Sequence, residues 1–260
     1  MHEVSAGRHP TIHRILAHQH EAGRSSTEAE RLGLGAAILI GDLALTWSDE
    51  LLHTAGLTSD QLTAVLPLID AMRTEVMYGQ YLDLTATGRP TDDIDRALAI
   101  TRYKTAKYTV ERPLHIGAVV AGGSTTTLDT LSAFGLPLGE AFQLRDDLLD
   151  VFGATATTGK SSLDDLREGK HTVLVSYALS HASQAQRRAL TSLLGDPHLT
   201  ESDGTVLRRL LTATGARQAV EDMIQHRRQQ VRLALGTATF PQSAIGALRQ
   251  IADAATQRIS

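Results

Sequence analysis

The chain contains no cysteine. It can form no disulfide and no thiolate-ligated zinc site, and a reducing cytoplasm fits that composition. Aromatic residues are scarce, at 4%, while alanine and leucine dominate. This balance favours helix over strand. No polar–apolar alternation runs long enough to read as a strand, and there is no repeat or low-complexity segment. Positive charge is not in excess. Against 25 Lys and Arg stand 29 Asp and Glu, a net charge of -4, so there is no broad basic surface for nucleic acid. A long uncharged run, 113–128, contains Pro113, Gly122 and Gly123 and makes a poor membrane span. Residues 1–7 are too short and polar for a signal sequence. With 260 residues, a single cytoplasmic domain around one large core is the expectation.

What the chain does have is a succession of helix signals. Thr27 with Glu30 has capping-box spacing and opens an apolar segment to about residue 53. Thr58 with Gln61 repeats the device, for a helix to about residue 85 that Pro67 is placed to kink. Gly88-Arg89-Pro90 breaks the chain. Asp92 is the expected cap of the next helix, which carries Lys104 and Lys107 on one face until Pro113 interrupts it. Gly122-Gly123-Ser124 marks a turn, and a short helix to Phe134 follows. Gly135-Leu136-Pro137 then leads into another helix. After a loop over 153–171, helices are expected near 172–181, 184–194, 201–214, 216–235 and 241–258. A loop that long in a compact helical domain is usually functional or mobile.

The chemistry concentrates at 142–150, Phe-Gln-Leu-Arg-Asp-Asp-Leu-Leu-Asp. At helical spacing Asp146 and Asp150 lie one turn apart on one face, with Asp147 beside them. Like charges so placed repel unless something positive fills the gap. Hard oxygen ligands open to water suit Mg2+, which takes carboxylates plus substrate phosphate oxygens. Alone, the run reads equally well as a solvated acidic face. Downstream come Thr158-Gly159-Lys160 and then Arg167 and Lys170; upstream is Lys104-Thr105. Taken singly, Lys104 is a surface lysine and Thr105 a threonine bonded to its own helix. Gln143 is then a half-buried amide, and Lys160 and Lys170 are solvated loop charges. Taken together, carboxylates ringed by Lys and Arg make a diphosphate site. Asp164, Asp165 and Glu168 are expected to balance nearby cations, and the run 225–228 to be a solvated helix face. The 11 histidines contain no HExxH pair.

These stretches, in this order, resemble the trans-type polyprenyl synthetases (isoprenyl diphosphate synthases) of geranylgeranyl-diphosphate-synthase type. The run 142–150 with 158–160 and 165–172 resembles the family's second aspartate-rich region. Gly41-Asp42 resembles its GD helix, 79–84 its GQxxDL segment, Lys104-Thr105 its KT pair and 10–13 its PTVH. The resemblance implies an all-α, single-domain helical bundle of the isoprenoid synthase type around a central apolar cavity. It implies Mg2+ held by Asp146, Asp147 and Asp150. Lys104, Thr105, Gln143 and Lys160 take catalytic roles, and with Lys170 they bind the diphosphate. The implied partners are an allylic prenyl diphosphate and isopentenyl diphosphate. Helix 36–52 is placed to line the chain cavity. Asp42 reads as structural; Asp83 remains ambiguous.

The family dimerises through helices near its GD segment, and Leu32, Leu34, Ala36, Ile38, Leu43 and Leu45 exceed one core-facing stripe. A homodimer, or a heterodimer with a full-length synthase, is therefore expected. The family's earlier Gly-Lys-Arg and first DDxxD have no counterpart here; its paired arginines fall on Ala6 and Gly7, with Arg8 adjacent, and the nearest carboxylate is Glu3. Three readings follow. One is a synthase that condenses a prenyl diphosphate with isopentenyl diphosphate. Another is a non-catalytic subunit of a heteromeric synthase. The third is an enzyme that ionises a prenyl diphosphate without a second substrate.

Overall fold

The computed structural model describes residues 11–153 and 163–256. Glu3, Ala6, Gly7, Arg8, Pro10 and the Thr158-Gly159-Lys160 stretch lie outside the described residues. Among those described, every regular element is a helix, as the composition predicts. The chain divides into two compact units, Met1–Leu62 and Thr63–Ser260.

In the first unit, α1 (Ile12–Gln19) packs on α2 (Ser26–Thr54). The cap of α2 is Ser25 rather than Thr27. Ser25 N–H donates to Glu28 Oε2 at 2.9 Å, and Glu28 N–H to Ser25 Oγ at 3.4 Å. Two Ser/Thr-x-x-Glu pairs overlap here, and the earlier one closes directly after the left-handed turn at Gly23 (φ 78°). Within α2 only Ala29 and Gly33 are buried. Leu34, Ile38, Leu39, Leu43, Leu45, Trp47 and Leu51 are all exposed. By length and composition α2 is long and apolar enough to cross a membrane, with a mean hydropathy of 1.3 over its best window. A scan for uncharged runs passes over it because Asp42 sits in the middle.

The second unit begins within α3 (Ser59–Ala86), which continues through Pro67. Thr58 and Gln61 form the expected reciprocal cap. Asp93, not Asp92, caps α4 (Ile94–Ile100): its Oδ1 accepts from Arg96 N–H at 2.9 Å, while Asp92 instead pairs with Arg187 at 2.8 Å. The backbone then widens into a π-helical segment, Thr101–Glu111. Its buried positions are Thr101, Ala106 and Glu111, a spacing of five that matches i→i+5 hydrogen bonding. An α pattern would bury every third or fourth residue instead. Arg112–Val120 resumes as α5, with Pro113 in its first turn where no N–H is needed.

Gly135-Leu136-Pro137 does not break the chain. Thr125–Phe152 is one helix, α6, capped by Ser124 and carrying Pro137 inside it. Tertiary packing overrides the breakers. Gly139 lies so close to the π segment that a Cβ would stand 2.4 Å from Ala106 Cα. Buried apolar positions run the length of α6: Leu131, Phe134, Leu138, Ala141, Leu144, Leu148 and Val151. Leu131, Phe134 and Leu138 join one core cluster with α11 (Ala216–Thr237) and α12 (Gln242–Thr256). Leu144, Leu148 and Val151 join another with α7 (Asp164–Glu168), α8 (Val173–His181), α9 (Gln184–Leu193), α10 (Glu201–Ala213) and α11. Each leucine so buried contributes about 1.5–3 kcal/mol, which fixes the register of the acidic run that α6 carries. Part of the expected loop over 153–171 is thus the short helix α7.

Candidate active site

Five parts of the second unit meet around a cavity of about 180 Å³: α3, α4, the π segment, the C-terminal half of α6, and the turn after α7. Lys104, Thr105, Gln143, Asp146, Asp147 and Lys170 all line it, together with Asp83 and His171. These residues are up to 88 positions apart in sequence, and the fold brings them to one place. Lys160 lies outside the described residues.

The contacts run as a chain across the cavity. Lys104 Nζ pairs with Asp83, which is buried in α3. Thr105 Oγ1 donates to Gln143 Oε1 at 2.8 Å rather than back to its own helix, and Gln143 Nε2 donates to Asp147 Oδ1 at 2.9 Å. Lys170 Nζ stands 3.7 Å from Asp147 Oδ1 and donates to Asp165 Oδ2 at 2.8 Å. Burial pushes the Asp147 carboxyl up to about 6, against the opposing pull of Lys170 and Gln143. Burial works against the charge of Lys170, but Asp147, Asp165 and Asp150 outweigh it and raise its pKa. The site thus holds a partly neutralised acidic centre between two ammonium groups.

Asp146 and Asp150 are half-buried, whereas Asp147 is buried. Among the described residues no three acidic or histidine side chains converge closely enough to hold an ion unaided. That donor set fits Mg2+, which dispenses with an all-protein cage and takes one or two carboxylates plus water and phosphate oxygens. Next to them, Arg145 grips Glu221 of α11 through two bonds of 2.7 Å. This bidentate pair ties the acidic end of α6 to its neighbour.

Two residues that the resemblance includes without a role, Gly79 and His171, act in positioning. Gly79 of α3 faces the π segment, and a Cβ there would stand 2.3 Å from Lys104 N. Only glycine lets the two backbones close enough for Asp83 to reach Lys104. His171 is buried beside Lys170; its Nδ1 accepts from Thr91 N–H at 3.2 Å and its Nε2 donates to Asp93 O at 3.2 Å. An Nδ1 that accepts a backbone N–H is the unprotonated nitrogen of a neutral ring, and burial lowers the pKa in the same sense, so His171 acts as a two-ended peg. Gly169, at φ 62°, ends α7 in a left-handed turn and gives its carbonyl to Gly88 N–H at 3.0 Å. The peg and the turn together hold Lys170 against Asp147. Of the charges expected to balance locally, Asp165 does so with Lys170 and Asp164 with Arg167 at 3.6 Å. Arg227 is not solvated: its Nε bonds buried Glu140 at 2.6 Å.

The sequence profile of the polyprenyl synthetase family matches residues 23–211, a stretch that includes every described residue of this cavity. The chain belongs to the polyprenyl synthetase family. It is 30% identical over 189 residues to a (2E,6E)-farnesyl diphosphate synthase of Mycobacterium tuberculosis, which covers 72% of this chain and 52% of that protein. It is 31% identical over 183 residues to a geranylfarnesyl diphosphate synthase of Aeropyrum pernix, covering 69% of this chain and 56% of the relative. The chain thus spans about half the length of these relatives. Its fold is similar to that of a geranylgeranyl pyrophosphate synthase from Corynebacterium glutamicum, solved with isoprenyl diphosphate and magnesium. The TM-score is 0.90 and the identity 38%, over 96% of this chain and 71% of the other. Membership of the polyprenyl synthetases supplies the helical bundle; the roles of the individual residues rest on the contacts above.

Proposed function

We propose that this polyprenyl synthetase is a Mg2+-dependent prenyltransferase. It binds an allylic prenyl diphosphate in the cavity of the second unit and condenses it with isopentenyl diphosphate. The observation that carries the reading is the convergence of Lys104, Thr105, Gln143, Asp146, Asp147 and Lys170 on one small polar cavity. Its size suits a diphosphate head and no more. The similar farnesyl, geranylfarnesyl and geranylgeranyl diphosphate synthases agree with the reaction class.

Asp146, Asp147 and Asp150 are the residues proposed to hold Mg2+, which when bound neutralises phosphate oxygens that the lysines leave uncovered. Lys104 and Lys170 neutralise the diphosphate from opposite sides. As the allylic C–O bond breaks, the electron pair leaves with the diphosphate, where the two ammonium groups meet the growing negative charge. Thr105 and Gln143 hold Asp147 in place and can bond a phosphate oxygen. The allylic carbon then bonds the terminal alkene carbon of isopentenyl diphosphate, and a proton is lost from the resulting cation. A dimer, with the apolar α2 as its contact, completes the proposal, as does a single functional domain working in a cytoplasmic setting.

The test is an assay of the purified chain with Mg2+ and geranyl, farnesyl or geranylgeranyl diphosphate, with and without isopentenyl diphosphate. The expected product is a diphosphate lengthened by one isoprene unit. A hydrocarbon or alcohol formed without isopentenyl diphosphate would replace condensation by ionisation alone. Asp146→Ala is expected to weaken Mg2+-dependent diphosphate binding roughly tenfold or more, because changes around a metal ligand already cost that much. Calorimetry showing unchanged binding would remove Asp146 from the metal site.

A further inference from the structure

On another part of the second unit, α6, α11 and the π segment enclose an open groove of about 580 Å³. Its floor is apolar, with Leu136 of α6 and Leu233 of α11, the latter exposed. At the polar end lies Glu140, only 2% exposed. Each of its carboxylate oxygens is held by a different arginine: Oε1 by Arg102 Nε at 2.7 Å, Oε2 by Arg227 Nε at 2.6 Å.

One cation neutralises a buried carboxylate; two leave a net positive charge. Both arginines spend only their Nε on Glu140. A terminal nitrogen of Arg227 reaches Gln230 Oε1 at a long 3.3 Å, and Arg102 is about half exposed. The terminal donors suited to a planar or tetrahedral anion therefore remain largely uncommitted. Pro137 adds a further polar point: having no N–H, it leaves the Ala133 carbonyl at the groove without its usual helical donor. The groove thus has a cationic head region and an apolar trough, within the range of sizes that hold small ligands.

We propose that this groove is a second ligand site for a monomeric amphiphile, one apolar chain ending in a phosphate monoester. Arg102 and Arg227 take the phosphate, and Leu136 and Leu233 take the chain. That the chain is a prenyl chain rests on the proposed function; the site itself rests on the groove.

The experiment measures farnesyl monophosphate binding to the full chain by calorimetry in EDTA, so that no Mg2+ serves the other cavity. Inorganic phosphate and farnesol serve as head-only and tail-only controls. Binding is expected in the wild type and in Lys104→Ala. In Arg102→Gln it falls roughly tenfold, about the worth of one charge-assisted hydrogen bond. In Leu233→Asp, an exposed position that leaves the fold intact, it falls by a similar factor because the trough is broken. The proposal is overturned if farnesyl monophosphate does not bind in EDTA, or if inorganic phosphate binds as tightly. It is equally overturned if both groove variants bind like the wild type. Failure of the condensation reading would show separately, as absent turnover with Mg2+ and isopentenyl diphosphate.

Discussion

Replacing Lys170 by methionine is expected to destabilise the protein by about 3–5 kcal/mol at pH 7.5, the typical cost of stranding a buried charge. Asp147 is 4% exposed, and among the described residues Lys170 is the cation it pairs with, at 3.7 Å. Methionine fills the volume of the lysine stem, so the loss reads charge rather than a cavity. The pH dependence has a definite sign. The Asp147 carboxyl is raised to about 6 from 3.8, so the folded state holds its proton more tightly than the unfolded state does. Such a group costs stability as pH climbs from about 4 through 6. Removing Lys170 takes away the charge that limits this rise, so the costly window reaches further up. The gap between variant and wild type should therefore be small at pH 5 and large at pH 8, measured by urea unfolding in metal-free buffer. Adding Asp147→Asn to Lys170→Met should recover most of the loss, because it removes the charge that was stranded. A gap independent of pH would mean that Asp147 and Lys170 are not coupled.

Gly79→Ala is the second large effect. The new Cβ would stand 2.3 Å from Lys104 N and 2.6 Å from Tyr103 C, both backbone atoms that cannot swing aside. Overpacking of this kind costs about 1–3 kcal/mol, and backbone as the obstacle places this case at the upper end. Lys107 and Arg112 also reach across to α3, meeting Glu75 at 2.8 and 2.7 Å. Forcing α3 away therefore loosens that cluster as well as the Asp83–Lys104 pair. The expected result is a lowered unfolding midpoint, with diphosphate binding lost well beyond what the lowered stability explains. Wild-type stability in Gly79→Ala would show that α3 and the π segment do not touch there.

The site was legible in the sequence to the extent that its chemistry is local. Asp146, Asp147 and Asp150 share a helix turn, and Lys104-Thr105 and the run 165–172 hold their order, so most residues around the cavity could be named from spacing and resemblance, although Asp150 does not line it. Reading them one at a time misleads. Thr105 looks like a threonine bonded to its own helix until Gln143, 38 positions on, is placed opposite it. Gly79 and His171 fall inside the stretches 79–84 and 165–172 singled out by resemblance, but their positioning roles carry no local signal, because the glycine's role is the absence of a clash and the histidine bonds only backbone. The same limit explains the misread break at 135–137: Gly and Pro are poor helix residues in isolation, but α6 is held from both sides by packing. Arg227 reads as a solvated arginine because its partner, Glu140, is 87 residues away. The π segment is invisible to a search for 3.6-residue periodicity, since its buried positions fall five apart.

That widened segment also changes which genetic lesions the protein tolerates. A helix is ordinarily more sensitive to the loss of a residue than to an exchange of one, since everything beyond the gap turns by about 100°. Between Thr101 and Glu111 the backbone already carries surplus chain, and a deletion has somewhere to go: the turn tightens to α and the helix survives. The flanking helices can keep their heading, but residues inside the segment shift in phase relative to them. Lys104 and Thr105 could then face either α3 or Gln143, but not both as they do now. A one-codon deletion here should yield a folded chain with a dismantled cavity, separating the inheritance of the fold from the inheritance of the site.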